Sequence, residues 1–204
     1  MADPLPVVYR TSPLAIATYP YSEIVDGTGV VVFYGSRISV DSTAANDEYI
    51  LITDAIVPSV VNTVMASGGD GKDFDVQFRA TKTIEGTAYF QIPCHVNAGG
   101  AATLIPSVAV IHYNATAGET VLVAATTLPT LSTAGGHVYG DRVLKVTIPR
   151  TKFAIGDILR ITIVTTLGGA GVEGEIFHNP AGSTANFSVS GGQMNAFIPF
   201  EVEI

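Results

Sequence analysis

Short β-rich runs recur along this chain, and each is bounded by glycine, asparagine, aspartate or proline. No stretch shows a helical periodicity that competes with them. Such spacing is typical of an antiparallel sandwich or barrel. We therefore predict strands near residues 30–40, 48–57, 73–80, 86–96, 104–113, 119–126, 137–149, 157–167, 173–178 and 194–203.

Two of these runs alternate strictly between apolar and polar residues. Residues 143–148 place leucine, valine and isoleucine at every second position, and residues 158–163 repeat the pattern. Arg160 and Thr162 are expected on the outer side of the second run. One buried and one wet face is typical of antiparallel sheet. The predicted fold class is all-β: a single antiparallel β-sandwich, jelly-roll-like in preference to other sandwiches, with an extended N-terminal arm.

The chain divides into an arm, residues 1–29, and one sandwich domain, residues 30–204. Four prolines interrupt the arm, and each fixes φ and favours extended backbone in the residue before it. The arm is either a loose tail or a strap on a neighbouring subunit. We favour the strap because several arm residues are too apolar for a solvated tail; the expected interface residues are Val7, Val8, Tyr9, Leu14 and Ile16.

Composition limits the partners of this chain. Hydrophobic residues make up 47% and charged residues 14%, against about 25% charged residues in an average domain, so we expect apolar surface to be covered by copies of the chain. A net charge of -8 with only ten basic residues argues against nucleic acid and anionic membranes. No apolar run reaches the roughly 20 residues of a spanning helix, and the N-terminus lacks the pattern of a secretory signal.

No motif identifies a cofactor or a catalytic site. The sequence G-x-G-x-x-G occurs at residues 169–174, but a dinucleotide site needs a helix to start there; we interpret these glycines as a hairpin connection. Cys94, the single cysteine, is expected to be a small buried hydrophobe, with His95 on the opposite face of its strand. We predict no cofactor and no catalytic residues, and hence a protein that is not an enzyme.

Two groups of residues leave alternatives open for metal binding. The four histidines, His95, His112, His137 and His178, lie in separate predicted strands without the close spacing of a zinc motif, although distant strands can converge. The loop 70–75 carries Asp70, Asp73 and Asp75, which could bind calcium or form a solvated loop. We predict no metal site from either group.

Half of the basic residues fall between Arg142 and Arg160. They form either the wet face of one hairpin or a docking patch for an acidic partner, in which Arg150 and Lys152 reach across from the connecting loop. Because salt screens exposed charges, such a patch would contribute specificity more than affinity.

A resemblance to a family of proteins follows from two segments. Residues 148–161, with a Gly-Asp turn before a hydrophobic strand, and residues 174–180 resemble the final hairpins of small jelly-roll virion proteins of tailed bacteriophages. The Gly-Asp turn is also similar to one in the trimeric C1q and tumour-necrosis-factor jelly rolls.

This resemblance implies a capsid cement or decoration protein. Such a protein would be synthesised in the host cytoplasm and would stabilise the head from the capsid surface as a homo-oligomer, a trimer, in contact with the major capsid protein or another virion protein. The alternatives are a jelly-roll major capsid protein and a receptor- or glycan-binding head of a phage tail or fibre.

Overall fold

The structure is a computed structural model that describes residues 28–41, 47–53, 61–65, 71–178 and 194–201. The arm therefore lies outside the described residues, except for Thr28 and Gly29, which open the first strand. Its five expected interface residues lie outside the described part as well: Val7, Val8, Tyr9, Leu14 and Ile16.

The described residues form twelve strands and no helix. Each predicted run corresponds to a strand, whereas β3 and β8 were not predicted. The strands are β1 (Thr28–Asp41), β2 (Asp47–Ile52), β3 (Val61–Met65), β4 (Lys72–Gln77), β5 (Lys82–Ala98), β6 (Ala102–Asn114), β7 (Gly118–Thr127), β8 (Leu131–Thr133), β9 (Gly136–Phe153), β10 (Ile158–Gly168), β11 (Glu173–His178) and β12 (Asn195–Glu201).

The strands join into one sheet that folds over on itself. Its order is β3-β11-β5-β12-β1-β2-β4-β10-β6-β7, with β8 beside β6 and β9 beside β5. The described pairs are antiparallel, apart from the parallel pair of β2 and β4. β5 contacts β6, and β9 contacts β7 and β8, without sharing ladder hydrogen bonds. The predicted all-β, sandwich-like and jelly-roll-like class is confirmed.

The core fills the space between the two layers with side chains from alternate strand positions. It is mainly aliphatic, with three fully buried phenylalanines, Phe74, Phe90 and Phe153. The alternation predicted in residues 143–148 and 158–163 holds, since the core also contains Leu144, Val146, Ile148, Leu159, Ile161 and Ile163. The opposite side chains of the same strands form the two outer faces of the sandwich.

Two connections differ from the sequence-based interpretation. β9 pairs with β5, whereas β10 pairs with β4 and β6, so the basic residues of 142–160 do not belong to one hairpin. Residues 169–172, the first part of the glycine-rich segment, join β10 to β11, which are not paired with each other either. Gly169 and Gly171 have positive φ, which glycine adopts without the strain of a Cβ. Both connections cross between parts of the folded sheet, which a local pattern does not reveal.

Within the described ranges there is no helix long and apolar enough to cross a membrane.

Candidate functional site

One outer face of the sandwich collects polar side chains from β9, β5 and β11. In the strand register, Tyr139, His95 and Glu175 form one row, and the next row pairs Asn97 with both His137 and Glu173. We call this set the histidine patch: His95, Asn97, His137, Tyr139, Glu173 and Glu175. Its residues share a face because partners in an antiparallel register, and positions two apart on each strand, point the same way.

A chain of hydrogen bonds runs through the centre of the histidine patch. Nδ1 of His95 lies 2.8 Å from a carboxylate oxygen of Glu175, and Nε2 of His95 lies 3.0 Å from Nδ1 of His137. An ionised carboxylate only accepts hydrogen bonds, so Nδ1 of His95 donates to Glu175. In a neutral ring Nε2 then accepts from the Nδ1–H of His137. The three side chains form a relay from a partly covered carboxylate to the surface.

Burial changes steeply along this relay. His95 is only 5% exposed, whereas His137 lies at the surface. The ring of Tyr139 stacks on His95 with centroids 4.3 Å apart, and His95 and His137 are parallel within 4°. The stacking restricts His95 to one orientation while His137 meets solvent. This arrangement can pass a proton or offer ring nitrogens to a ligand.

The same outer face becomes apolar toward the middle of β5. The register aligns Val32, Phe197 and Tyr89 across β1, β12 and β5. Val143 on β9 and Val30 on β1 flank this row. We call these five residues the apolar patch. Tyr89 is 44% exposed and Val143 57%, so the patch is open to solvent.

A second histidine supports the Gly-Asp turn before β10. His112 Nε2 lies 2.7 Å from Oδ2 of Asp157, and Asp157 also accepts hydrogen bonds from the Asn114 amide and the Ala154 backbone N–H. Burial alone would raise the pKa of Asp157, but the hydrogen bonds from Ala154, His112 and Asn114 outweigh it and lower that pKa. Because the groups satisfy one another, this cluster is structural.

Arg160 lies on the outer face of β10, as the alternation predicts, but it is 8% exposed rather than wet. Its guanidinium forms a bidentate pair with Asp75, at 2.8 and 2.9 Å, and contacts Asp73 and Glu119. Burial raises the pKa of Asp75 despite the opposing effect of Arg160, and the nearby Asp73 and Glu119 charges raise it further. The Arg160 guanidinium therefore supplies the positive charge that these carboxylates surround.

This ion-pair cluster bears on the calcium alternative for residues 70–75. Asp73 and Asp75 are directed toward Arg160, and Asp70 lies outside the described residues. Among the described side chains, no group of three or more histidine, cysteine, aspartate or glutamate residues is arranged to hold a metal ion.

Two further buried groups, His178 and Cys94, occupy structural positions. His178 is fully buried, and its Nδ1 donates to the carbonyl oxygen of Ser36 at 2.8 Å. Burial lowers the pKa of His178 to about 4, although the hydrogen bond to Ser36 opposes the change. Cys94 is buried in the core, where desolvation raises its pKa to about 12. The prediction of a buried, hydrophobe-like Cys94 is confirmed, as is the opposite orientation of His95.

The two described residues of the predicted interface, Arg150 and Lys152, lie near the end of β9 and not in a connecting loop as predicted. Arg150 is exposed and forms ion pairs with Glu85 and Glu201 of the same chain, and exposed Lys152 aligns with Thr83. Arg160 lies in another part of the sheet, so the basic residues are not one surface. Docking of a partner at Arg150 and Lys152 stays a prediction.

Comparison with known proteins shows likeness in fold but not in sequence. No family model matches the chain, and no curated protein matches it. A CocE/NonD family hydrolase from Staphylococcus aureus superposes with a TM-score of 0.55 at 10% identity, over 85% of this chain and 37% of the hydrolase. An aminopeptidase from a marine sediment Thaumarchaeota archaeon gives 0.50 at 8% identity, over 86% and 37% of the respective chains.

These likenesses correct one sequence-based prediction. The prediction that the chain is not an enzyme is wrong, because the structures that it matches at TM-scores of 0.50 and above are those of hydrolases. The chain spans little more than a third of their length. At identities of 8 to 10% the likeness shows the fold alone, and one fold hosts many functions. The comparisons therefore establish a β-rich module and leave its role to be argued from the surface.

Proposed function

We propose that this chain is a structural module that assembles with copies of itself through the apolar patch, as a capsid cement or decoration protein does. The observation that carries the proposal is the exposure of Tyr89 and Val143 beside Phe197 and Val32 on one sheet face. The outer face of an antiparallel sheet is normally polar. A contiguous apolar area on such a face marks an interaction site.

The margin of the apolar patch favours a second copy as the partner. Lys145 lies over the ring of Tyr89 at 6.0 Å, and the nearby strand ends carry Glu85, Arg150 and Glu201. Both signs of charge border the patch, so copies related by symmetry can bring opposite charges together. Charged residues make up only 14% of the chain, and this low proportion also favours a second copy as the partner.

In this proposal the protein is a homo-oligomer, a trimer in its decoration form, that contacts the major capsid protein or another virion protein at the capsid surface. A jelly-roll major capsid protein is the closely related alternative. Shell-sized particles formed by the purified chain alone would identify that alternative, whereas a small closed oligomer supports the decoration role.

The test is the mass in solution of paired variants, measured by light scattering after size exclusion. Val143→Lys should convert the oligomer to monomer, because it places a charge within the apolar patch. Val121→Lys is the matched control: Val121 is 58% exposed, nearly the same as Val143, but it lies on β7. A wild-type monomer, or dissociation by the Val121 variant alone, would overturn the proposal, and a monomer would favour a lone receptor- or glycan-binding module.

A second candidate function, hydrolysis, is favoured by the relay from Glu175 through His95 to His137. An exposed imidazole oriented by a buried one can act as a general base toward water. The fold likeness directs the assay to chromogenic esters and aminoacyl anilides. Turnover that is lost in His137→Asn and retained in Val121→Lys supports hydrolysis, and activity equal in wild type and His137→Asn contradicts it.

A further inference from the structure

The facing nitrogens of His95 and His137 have the separation of two ligands on one metal ion. Nε2 of His95 and Nδ1 of His137 lie 3.0 Å apart. Two nitrogens each about 2.0–2.1 Å from an ion are roughly 2.9 Å apart at a right angle and about 3.4 Å apart at a tetrahedral angle. The observed separation lies between these values.

Glu175 supplies the outer support that metal-binding histidines have. Its carboxylate accepts from Nδ1 of His95 at 2.8 Å, which leaves Nε2 as the nitrogen with a lone pair. A carboxylate on the far nitrogen fixes the tautomer and makes the ligating nitrogen more basic. Tyr139, stacked at 4.3 Å, restricts the ring further. One ligand of the pair is therefore preorganised.

His137 supplies the adjustable half of the pair. It lies at the surface, so its ring can turn until both lone pairs meet at one point. In the metal-free hydrogen bond its Nδ1 carries a proton. On metal binding that proton leaves Nδ1, and the neutral ring carries a proton on Nε2, which exchanges with solvent. The hydrogen bond between the rings is then replaced by the ion.

We infer that His95 and His137 form a binding site for one late first-row divalent ion, with water completing the coordination and Glu175 holding His95. Two imidazoles suit Cu²⁺, Ni²⁺ and Zn²⁺, and a near-right-angle pair suits Cu²⁺ best. The order of affinity is Cu²⁺ above Zn²⁺. The site shares no residue with the apolar patch, since Tyr89 lies six residues before His95 on β5, so the binding test does not depend on assembly.

The experiment is calorimetric titration of the chelator-treated full chain with CuCl₂ and, separately, with ZnCl₂. Wild type should bind one Cu²⁺ per chain, and Zn²⁺ more weakly. His137→Asn changes an exposed residue, so the fold persists, and it should lower the Cu²⁺ association constant at least tenfold. Glu175→Gln should lower it about 10-fold to 100-fold.

His112→Gln is the matched control, since His112 is occupied by Asp157; circular dichroism verifies that each variant is folded. The control should bind Cu²⁺ within about twofold of wild type. Equal affinity in wild type and His137→Asn, no binding by wild type, or an equal loss in folded His112→Gln would each overturn the site.

Discussion

The two halves of the outer face of β5 differ in polarity. Around Tyr89 the face is apolar and exposed, whereas around His95 it is polar, with His95 buried and His137 and Glu173 exposed. Gln91 lies between them and donates to Asp141 at 2.9 Å. Both halves rest on one layer of core residues, which includes Phe90 and Val96. The inner face therefore accounts for the fold, and the outer face carries features that folding alone does not require.

The outer face around β5 therefore carries two kinds of surface. In the apolar half, Tyr89 and Val143 stay 44% and 57% exposed, although Lys145 lies over the Tyr89 ring. The proposed assembly would cover this apolar area. The histidine half directs polar groups at one another, with an exposed member at one end. The proposed hydrolysis and the proposed metal site both use this exposed member.

The largest expected effect contrasts the two faces of β5. Phe90→Ala should lower the free energy of unfolding by about 3–5 kcal/mol, because it opens a cavity in a fully buried site. Tyr89→Ala, one residue away, should lower it by less than about 1 kcal/mol. Urea denaturation of the monomeric Val143→Lys background measures both. Equal effects would show that Tyr89 also stabilises the fold, which would contradict the contrast between the inner and outer faces of β5.

The second prediction concerns pH and the buried histidine that ends β11. His178 has a folded pKa of about 4 against an ordinary value of 6.5, so the unfolded chain binds its proton first as pH falls. The contribution of neutral His178 to the free energy of unfolding is fully present above pH 6.5. It is lost progressively toward pH 4, by roughly 3 kcal/mol. Chemical denaturation at several pH values measures the loss.

His178→Asn is the control for this pH dependence. Asparagine retains an N–H donor for the Ser36 carbonyl but does not titrate. The variant should be less stable than wild type at pH 7, because the ring contacts with Tyr49 and Phe74 are lost, and its stability should vary less between pH 6.5 and 4. An unchanged pH profile would assign the loss to other groups.

A third prediction compares the histidine patch with the structural cluster at Asp157. Asp157→Ala should lower the free energy of unfolding by about 1–3 kcal/mol, because it removes the acceptor of three hydrogen bonds. His137→Asn should cost under about 0.5 kcal/mol, because His137 is exposed. Thermal unfolding with both variants measures the difference. A large loss in His137→Asn would make the histidine patch structural too.

The pH dependence of Asp157 has a defined sign. Its pKa is lowered in the folded protein, so its stabilising contribution is present above the ordinary value of 3.8 and is lost as pH falls through the folded pKa. Asp157→Asn should remove this contribution, and loss of stability below pH 4 should become shallower.

The strands were predictable because their signal is local. Alternation and turn residues identified each long strand, but β3 and β8 are short and were missed. Pairing was not predictable, because consecutive strands such as β9 and β10 lie in different parts of the sheet. The histidine patch depends on that pairing, since 42 residues separate His95 from His137.

One signal for the histidine patch was nevertheless present in the sequence. Polar residues recur two positions apart in or at the end of three predicted strands: His95 with Asn97, which is one residue beyond the predicted run 86–96, His137 with Tyr139, and Glu173 with Glu175. Such pairs put chemistry on one face of each strand. They do not reveal which faces adjoin, and that information comes only from the register of β5 with β9 and β11.

The smallest expected effect tests the charged margin of the apolar half. Arg150 is 62% exposed and pairs with Glu85 and Glu201, and exposed ion pairs contribute about 0–1 kcal/mol. Arg150→Ala should therefore change the free energy of unfolding by less than about 1 kcal/mol, and salt should reduce that difference. If Arg150 also contacts a neighbouring copy, the variant weakens the oligomer while the folded chain keeps its stability. Light scattering at low and high salt separates the two roles, because only an intermolecular contact makes the measured mass depend on Arg150.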